Sequence, residues 1–530
     1  MIRIAIIDDE PRQRRGMEQL IIALRPEAEV LAFRNAKEAL EALRVQPAQI
    51  IFSDIRMPHM TGLDLAQRVH ERMPNTLVIL ISAYSEFEYA HKAIELGVFS
   101  YLLKPIQPEA VREVLDKALQ MCEQMGFATK NYDYYAGSAA YGSGEKEIAL
   151  LGHLDVVPEG DGWSHDPYDM IEKDGYIYGR GVADDKGPTV LGLYAMKCMK
   201  ELGIQPNYTF RLVMGCSEET GMSDMPHYLA AEKAPTFAFT PDADFPVCIG
   251  EKGQLSVAIE LAVDGKTITG FTGGTVGNAV CASATVTLQG VSEADLGDYD
   301  HSVYHVESVE GGIKLTATGK TAHAAKPEGS INATKLLCEK IAALPQLSDA
   351  EKKAMAVVAE VLKDCHGAGI GVPVEDEVSG KITHINGVDS MKDKVITLKL
   401  DIRYPVTFKG DELFPKIEAH VAQAGGKAIL NHNTSPCYKP ADTQEIKTLL
   451  AAYDHVTGEK GVPYTIGGGT YAKHFDNAVA FGPHFRGMPN PCGEGKGEEH
   501  MPDECNSVDY MMKALKIYVI SLIGLNELSL

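Results

Sequence analysis

A histidine and a carboxylate end an apolar run in the central part of the chain, IALLGHLDVVP. His153 and Asp155 are two residues apart, and alternate residues of a strand share one face of a sheet, so both side chains point the same way. A carboxylate next to a ligand histidine fixes the tautomer of that histidine and raises its basicity. A buried histidine bonded to a near neighbour explains the pair equally well, so this motif alone leaves both interpretations open.

Four carboxylates in two later motifs favour a metal site. Asp184 and Asp185 are adjacent in the glycine-rich turn YGRGVADDKGP, which precedes an apolar helical pattern. Two carboxylates in such a turn repel each other unless a cation lies between them. Glu218 and Glu219 follow another apolar strand pattern, in VMGCSEETG. The ends of these elements therefore collect acidic groups at places where a cation would be needed.

Asp242 in FTPDADFP and His500 in GKGEEHMPDE complete the set of candidate ligands. Histidine nitrogen and carboxylate oxygen without a thiolate suit Zn²⁺, with Mn²⁺ or Co²⁺ as alternatives. The ligands suffice for two metals that share a bridging carboxylate, and such a pair can activate a water and stabilise a developing oxyanion. A carboxylate beside a ligand, as Glu218 is beside Glu219, can take the proton from that water.

The motifs GHLDVVPEGDGW, GRGVADDKGP, SEETG, PDADFPV and HMPDE resemble the dinuclear-zinc aminoacylase and carboxypeptidase family, and most closely its PepV-type dipeptidases. This resemblance extends from about residue 126 to the end of the chain. It implies two Zn²⁺ ions, the first on His153, Asp184 and Asp242, and the second on Asp184, Glu219 and His500. It also implies a cis peptide bond between Asp184 and Asp185.

The same resemblance implies roles for residues around the metals. Asp155 would orient His153, and Glu218 would be the general base and acid for a metal-bridging hydroxide. His323, in the glycine-flanked turn GKTAHAAKPEG, would stabilise the oxyanion. Arg403 and Asn278 correspond to substrate-binding positions. Without the resemblance, Arg403 could also be an ordinary strand arginine, and the sequence does not decide whether Asn278 has a function. The loop TIGGGTYAKHFDNAVAFGP resembles the glycine-rich wall that meets the substrate backbone.

Acidic and polar residues also end the strand patterns of the first 120 residues. The apolar runs IRIAIID, AEVLAF, IIFSDI, LVILISA and FSYLLK alternate with helical patterns, which predicts a parallel sheet covered on both faces. Active groups of such sheets collect at the carboxyl ends of the strands. The groups found there are Asp8, Asp9, Asp54, Ser82 and Lys104. Three carboxylates offer oxygen ligands for Mg²⁺, and a lysine can pair with an added phosphoryl group.

The motifs IIDDE, FSDIRMP, LISAYSE and YLLKPI resemble a response-regulator receiver domain of the CheY type. The resemblance implies a flavodoxin-like parallel sheet and a sensor histidine kinase as partner. Asp54 would be the phospho-acceptor, Asp8 and Asp9 would help to hold Mg²⁺, and Ser82 and Lys104 would contact the phosphoryl group. Nothing downstream has the pattern of paired short helices with a basic recognition helix, so DNA-binding control of transcription is not expected.

The predicted architecture is an α/β receiver domain at residues 1–120, fused to an α/β dinuclear-metal peptidase domain at 121–250 and 441–530. An α+β lid domain at 251–440, rich in strand patterns, interrupts the peptidase domain and binds substrate. Helical periodicity continues across the join through VLDKALQMCEQM, so one amphipathic helix serves as the last element of the receiver and an early element of the peptidase. The peptidase-like part lacks the N-terminal segment with which PepV-type enzymes begin.

Composition limits the remaining possibilities. The formal net charge of −23 argues against a nucleic-acid binder, because phosphate contacts need a basic surface. No apolar run is long enough to span a membrane, and the charged start MIRIAIIDDE is not a signal peptide, so a cytoplasmic location is expected. Ten cysteines without a C-x-x-C motif favour reduced thiols. The oligomeric state stays open.

These observations predict a zinc-dependent dipeptidase, a metallopeptidase hydrolysing small peptides, fused to a phospho-accepting receiver domain. One alternative is a deacylase of N-acyl amino acids from the same family, of the succinyl-diaminopimelate or acetylornithine type. Another is a phosphorylation-dependent signalling protein whose peptidase-like module is inactive. The long lid and the DDKGP and HMPDE motifs favour the dipeptidase, and an inactive module would be expected to lack metal ligands, all five of which are present.

Overall fold

The computed structural model describes residues 3–8, 14, 29–45, 47–55, 57, 60–73, 76–82, 100–103 and 108–530. Asp9 and Lys104 lie outside the described residues, as does the side chain of Ser82. The chain divides into two compact units, Met1–Ala110 and Val111–Leu530. This division falls inside the helix that the sequence predicts at the join.

The first unit contains a parallel sheet of five strands in the order β2-β1-β3-β4-β5. Its strands are β1 (Arg3–Ile7), β2 (Glu29–Phe33), β3 (Ile50–Asp54), β4 (Leu77–Ser82) and β5 (Ser100–Leu103). The described helices are α1 (Ala36–Val45) and α2 (Gly62–Arg72). Thr61 and Asp64 form a capping box that starts α2. The strand order is that of flavodoxin-like sheets, and the predicted fold class of this unit is confirmed.

Helix α3 (Pro108–Gln124) extends from the join into the second unit. Its side chains Leu115, Leu119 and Cys122 are buried in the hydrophobic core of that unit. Gly137 makes this close packing possible, because a Cβ atom there would lie 2.7 Å from Cδ1 of Leu115. The amphipathic pattern at the join therefore packs as part of the second unit's core from Leu115 onward.

The second unit is built on a mixed sheet in the order β25-β14-β27-β12-β8-β11-β7-β6, with β26 paired to β14. Its strands are β6 (Ala128–Tyr132), β7 (Ala136–Tyr141), β8 (Glu147–His153), β11 (Thr209–Gly215), β12 (Phe237–Thr240), β14 (Cys248–Glu251), β25 (Cys437–Tyr438), β26 (Tyr464–Ile466) and β27 (Ala478–Ala480). The central strands β27, β12, β8 and β11 run parallel. Their residues alternate between two cores, as Ile148 and Leu150 on one face and Ala149 and Leu151 on the other demonstrate.

Helices cover both faces of this sheet. One face packs against α3, α4 (Lys186–Glu201), α9 (Gln444–Thr457) and α10 (Val508–Glu527). The other face packs against α5 (Asp224–Ala231) and a 3₁₀ turn, Tyr471–His474. Small pairings complete this part of the unit: β9 (Ile171–Lys173) and β10 (Tyr176–Tyr178) with β29 (Cys505–Ser507), and β13 (Ala243–Asp244) with β28 (Pro483–His484).

An antiparallel sheet of eight strands lies between β14 and β25 in the chain, within the segment predicted to be the lid. Its order is β18-β19-β17-β16-β22-β23-β15-β24. The strands are β15 (Gly253–Ala262), β16 (Ile268–Gly273), β17 (Ser283–Gln289), β18 (Tyr304–Val309), β19 (Gly312–Thr318), β22 (Thr383–Lys392), β23 (Val395–Tyr404) and β24 (Lys427–Thr434). One core joins this sheet to α6 (Ala333–Ile341), α7 (Asp349–Val361) and α8 (Gly410–Ala424).

Two strand connections link the lid sheet to the peptidase sheet. Strand β14 continues into β15 through Lys252, and β24 leads back to β25 after Thr434. A short hairpin, β20 (Glu375–Asp376) and β21 (Gly380–Lys381), accepts a hydrogen bond at its Lys381 carbonyl from the Lys252 ammonium. The α/β architecture with an α+β insertion agrees with the predicted fold class. Among the described residues, no helix combines the length and apolarity needed to cross a membrane.

Candidate metal centre

Parallel strands place three of the candidate ligand segments at one edge of the peptidase sheet. Strand β8 ends at His153, which is paired with Gly215 at the end of β11. Glu218 and Glu219 lie in the turn that follows Gly215. Strand β12, on the other side of β8, leads into the segment that carries Asp242. Because parallel strands end at a common edge, their polar C-terminal residues converge.

The ligand atoms form two clusters that share Asp184. In the first cluster, atoms of His153, Asp184 and Asp242 lie within 4.8 Å of one another, and His153 Nε2 is 3.0 Å from Asp184 Oδ1. In the second, Asp184, Glu219 and His500 lie within the same limit. His500 Nε2 is 2.8 Å from Asp184 Oδ2 and 3.0 Å from Glu219 Oε1. The structure thus brings together the two ligand sets that the sequence resemblance implies.

Asp155 connects the histidine to the glutamate turn. Nδ1 of His153 lies 3.0 Å from the Asp155 carbonyl oxygen and 3.4 Å from its Oδ1. The Asp155 carboxylate also accepts hydrogen bonds from the backbone N–H groups of Glu218 and Glu219, at 3.1 Å each. Asp155 therefore bonds the imidazole through its carbonyl oxygen and holds the turn that presents both glutamates through its carboxylate.

Asp185 takes a different role from its neighbour Asp184. The peptide bond between them is cis, as predicted. Asp185 is fully buried, and its Oδ2 accepts hydrogen bonds from the backbone N–H of His153 at 3.0 Å and from the hydroxyl of Thr189 at 2.9 Å. Gly152 allows this approach, because a Cβ atom there would lie 1.9 Å from the Thr189 hydroxyl oxygen. Only Asp184 joins the ligand clusters, as in the ligand sets that the resemblance implies, although the repulsion argument placed a cation between both carboxylates.

The charges of the site fit a dinuclear metal centre. Burial and the neighbouring Asp184 and Asp185 carboxylates raise the pKa of Asp242 well above its usual value. Hydrogen bonds to Asp184 and Glu219 raise the pKa of His500 to about 10, so the imidazole supplies positive charge to these carboxylates. Divalent cations would supply that charge to a donor set of imidazole nitrogen and carboxylate oxygen. The residues present therefore match the coordination preferences of Zn²⁺, Mn²⁺ or Co²⁺.

Glu218 has the environment of a proton carrier. Burial is the main cause that raises its pKa to about 8, and the Glu219 and Asp184 carboxylates add to the rise while His153 opposes it. A carboxyl group with a pKa near neutrality can both accept and return a proton at physiological pH. The predicted general base therefore lies beside the second ligand cluster in a suitable electrostatic setting.

His323 and Asn278 lie on neighbouring segments of the lid. Ala279 and His323 form an isolated β-bridge, and the backbone N–H of Ala324 donates to the Asn278 carbonyl at 2.8 Å. Both side chains are exposed. Among the contacts described for this unit, none joins them to the two ligand clusters. The structure brings the predicted oxyanion-stabilising residue and one predicted substrate-binding residue together in the lid.

Arg403 is engaged with protein groups. Its guanidinium forms a bidentate ion pair with Asp401, with Nε–Oδ1 at 2.6 Å and Nη2–Oδ2 at 2.8 Å. Nη1 donates to the carbonyl of Gly467 at 2.9 Å, in the glycine-rich loop. The lid arginine therefore contacts the loop predicted to meet the substrate backbone. Burial lowers the pKa of His323, and the positive charge of the nearby Arg403 lowers it further.

Glu504 is a residue that the sequence motifs do not single out. The HMPDE motif points only to its histidine, yet Glu504 is fully buried and contacts the turn that carries Asp184. The signal available in the sequence was an acidic residue directly before a short strand pattern, CNSV, where a solvated carboxylate is not expected.

The receiver-like unit places two of its predicted residues side by side. Asp54 ends β3, and Asp8 follows β1, the strand paired with β3. Asp8 is buried and Asp54 is half-buried. Ser82 ends β4, which pairs with β3 on its other side. The roles predicted for Asp9, Lys104 and the Ser82 side chain fall outside the described part of this unit.

Comparisons with known proteins distinguish the same two regions. Residues 4–116 match the family model of the response regulator receiver domain, and residues 149–522 match that of peptidase family M20/M25/M40. "Putative dipeptidase YtjP" of Bacillus subtilis (strain 168) is 33% identical over 425 residues, covering 77% of this chain and 89% of the relative. "Beta-Ala-Xaa dipeptidase" of Lactobacillus delbrueckii subsp. lactis is 29% identical over 435 residues, covering 78% and 89%.

Among solved structures, human carnosine dipeptidase 1 is 15% identical with a TM-score of 0.49, over 80% of this chain and 93% of that one. The two matched regions of the chain are those in which the motifs resemble a receiver and a metallopeptidase, so both resemblances are confirmed.

Proposed function

The chain belongs to peptidase family M20/M25/M40, a family of metallopeptidases, and on that premise we propose that it is a zinc-dependent dipeptidase fused to a phospho-accepting receiver domain. The observation that carries the proposal is the pair of ligand clusters that share Asp184. The relatives named as dipeptidases, one of them for β-alanyl substrates, support a dipeptide as the substrate.

In this proposal His153, Asp184 and Asp242 hold one Zn²⁺, and Asp184, Glu219 and His500 hold the other, with Mn²⁺ or Co²⁺ as alternative metals. When bound, the two ions supply an activated water and a positive site for the developing oxyanion. Nδ1 of His153 donates a hydrogen bond to the Asp155 carbonyl, which leaves Nε2 facing Asp184 and the first metal position.

Glu218 carries the proton in the proposed reaction. It takes a proton from the attacking water and returns it to the amine that leaves, which is favourable for a group with a pKa of about 8. The bonds from the Glu218 and Glu219 N–H groups to Asp155 hold this carboxyl in place during both transfers. His323 stabilises the oxyanion, and Asn278 and Arg403 contact the substrate. These roles require the lid segment that carries His323 and Asn278 to approach the metal centre.

The first unit would act as the phosphorylation site. Asp54 accepts the phosphoryl group from a sensor histidine kinase, with Mg²⁺ held with the help of Asp8 and Asp9, and Ser82 and Lys104 contact the phosphoryl group. The adjacency of Asp8 and Asp54 at the ends of paired strands supports this assignment.

Hydrolysis of two sets of substrates by the full-length protein tests the proposal. We expect turnover of β-alanyl and Leu-Leu dipeptides, dependent on added Zn²⁺ after treatment with a chelator. Turnover of N-succinyl or N-acetyl amino acids alone would replace the dipeptidase by a deacylase of the same family. A protein that binds no metal and hydrolyses neither set, while acetyl phosphate still phosphorylates Asp54, would indicate a signalling protein with an inactive peptidase-like module.

A further inference from the structure

One short segment near the C-terminus contacts both parts of the candidate metal centre. The backbone N–H of Gly497 donates to the Pro502 carbonyl at 2.9 Å, and the N–H of Cys505 donates to the Gly497 carbonyl at 3.1 Å. These bonds close a compact loop that carries His500 and Glu504 four residues apart. His500 belongs to the second ligand cluster, so the position of Glu504 is tied to that cluster through the chain.

Glu504 reaches the turn that carries the shared ligand. Its Oε1 accepts hydrogen bonds from three backbone N–H groups, those of Gly181 at 3.0 Å, Ala183 at 2.9 Å and Asp184 at 3.2 Å. Its backbone carbonyl accepts a further bond from the N–H of Gly179 at 3.0 Å. A turn that uses one carboxylate oxygen for three of its N–H groups has little freedom to change shape, because each group left unpaired in the interior would be costly.

The second oxygen of Glu504 is neutralised by a buried arginine. Arg180 Nη1 lies 2.7 Å from Glu504 Oε2, and both side chains are 1% exposed. Nη2 of Arg180 donates to the Glu159 carbonyl at 3.0 Å. Removing either partner would leave a charge buried without compensation. The pair therefore fixes the carboxylate in the orientation that receives the three N–H groups.

We propose that Glu504 is a positioning residue that holds Asp184, the ligand shared by both clusters, in a fixed position relative to His500. Asp184 belongs to both ligand clusters, and its own N–H is one of the three bonded to Glu504. A shift of this turn would displace a ligand of both metals at once. The inference rests on the proposed function only in taking these residues as metal ligands, and it does not depend on which substrate is hydrolysed.

The chain contains a natural probe of this contact. Trp163 is its only tryptophan; its Nε1 donates to the Glu159 carbonyl at 2.7 Å, and Arg180 Cζ lies 5.1 Å from the centre of its ring. The indole thus contacts the arginine that pairs with Glu504. We expect its fluorescence to change when metal binding tightens the Asp184 turn.

The test is the Glu504→Gln variant of the full-length protein, with Glu494→Gln as a matched control. Glu494 is exposed and lies in the same C-terminal segment. Zn²⁺ is titrated into each metal-free protein by calorimetry, and Trp163 fluorescence is followed in parallel. We expect Glu504→Gln to weaken Zn²⁺ affinity about 10- to 100-fold, the usual effect of losing a group that orients a ligand, and Glu494→Gln to match the parent. Hydrogen exchange of residues 181–184 should be faster in Glu504→Gln alone.

A double variant keeps the test decisive if Glu504→Gln folds poorly. The side-chain amide introduced by Glu504→Gln would direct an NH₂ group at Arg180, and two donors would then face each other. The double variant Glu504→Gln/Arg180→Gln replaces the guanidinium by a second amide, whose carbonyl oxygen can accept from that NH₂ group. We expect the double variant to regain part of the lost Zn²⁺ affinity and the slow exchange at residues 181–184.

Unchanged Zn²⁺ affinity in a folded Glu504→Gln protein would overturn the inference. A double variant that regains stability would also overturn it if its Zn²⁺ affinity stays weak and hydrogen exchange at residues 181–184 stays fast. A parent protein that binds two Zn²⁺ but hydrolyses no dipeptide would refute the proposed dipeptidase activity and leave this inference standing.

Discussion

Replacing Leu115 by alanine should destabilise the peptidase unit, although the receiver family model extends to residue 116. The Leu115 side chain is 0% exposed and lies in the core formed by the peptidase sheet and its helices. Its Cδ1 atom fills the space above Gly137, so truncation leaves a cavity against β7 that the glycine cannot close. Leucine-to-alanine changes at fully buried sites cost about 2–5 kcal/mol, and a rigid sheet on one side favours the upper part of that range.

The single tryptophan allows the stability of the peptidase unit to be measured separately from that of the first unit. Trp163 lies in the unit Val111–Leu530, so unfolding in denaturant followed by its fluorescence reports on the peptidase unit. We expect the Trp163 transition of Leu115→Ala to move to lower denaturant concentration by an amount equivalent to about 2–5 kcal/mol. Val114→Ala is the matched control, because Val114 is adjacent on the same helix but 36% exposed, and its effect should stay within about 0.5 kcal/mol.

Equal shifts for the two variants would refute the reasoning, because Leu115 would then contribute no more to the peptidase core than an exposed neighbour. A loss of stability in Leu115→Ala that spares the Trp163 transition would likewise place the side chain outside that core.

Three further predictions concern the site and the lid. Glu218→Gln should lower dipeptide turnover about 100- to 10,000-fold with Zn²⁺ content unchanged, as metal analysis of the same preparation would establish; turnover near that of the parent would remove Glu218 as the base. His500→Ala should retain one Zn²⁺ per chain where the parent retains two, because only the second cluster loses a ligand; loss of both or of neither would contradict the separate clusters. Burial raises the pKa of Asp389 from 3.8 to about 6, so the folded lid binds a proton that the unfolded chain releases, and the contribution of Asp389 to the free energy of unfolding should fall as pH rises from about 4 to about 6. Other carboxyl groups titrate in the same window, so the difference in free energy of unfolding between the parent and Asp389→Asn is measured at each pH; a difference that does not change across the window would show that the pKa of Asp389 is not raised.

Three of the candidate metal ligands were predictable because each lies at the end of a strand pattern that the sequence shows clearly. Apolar strands precede His153, Glu219 and Asp242, and parallel strands must end at a common edge, so the convergence of these groups follows from topology alone. His500 lies in an irregular loop without such a constraint, and only the family resemblance of the HMPDE motif identified it.

Composition could not predict that Asp184 joins the ligand clusters while Asp185 bonds only to protein groups. Adjacent carboxylates are equivalent in a sequence, and the repulsion argument assigns both to the cation. In the structure Asp185 is committed to the His153 N–H and the Thr189 hydroxyl, which are tertiary contacts from other elements. The contacts of Glu504 could not be predicted for the same reason: three backbone N–H groups and the Arg180 guanidinium bind it, and these come from elsewhere in the chain.

Burial at the join follows a narrower stripe than the apolar pattern indicates. The periodicity of VLDKALQMCEQM includes Val114 among the apolar positions, yet Val114 is 36% exposed while Leu115, Leu119 and Cys122 are 8% exposed or less. Of these, Leu115 and Leu119 face Gly137 in strand β7, whose neighbour β11 leads to Glu218. A displacement of this helix would therefore act first on the strand beside the one that presents the proposed base.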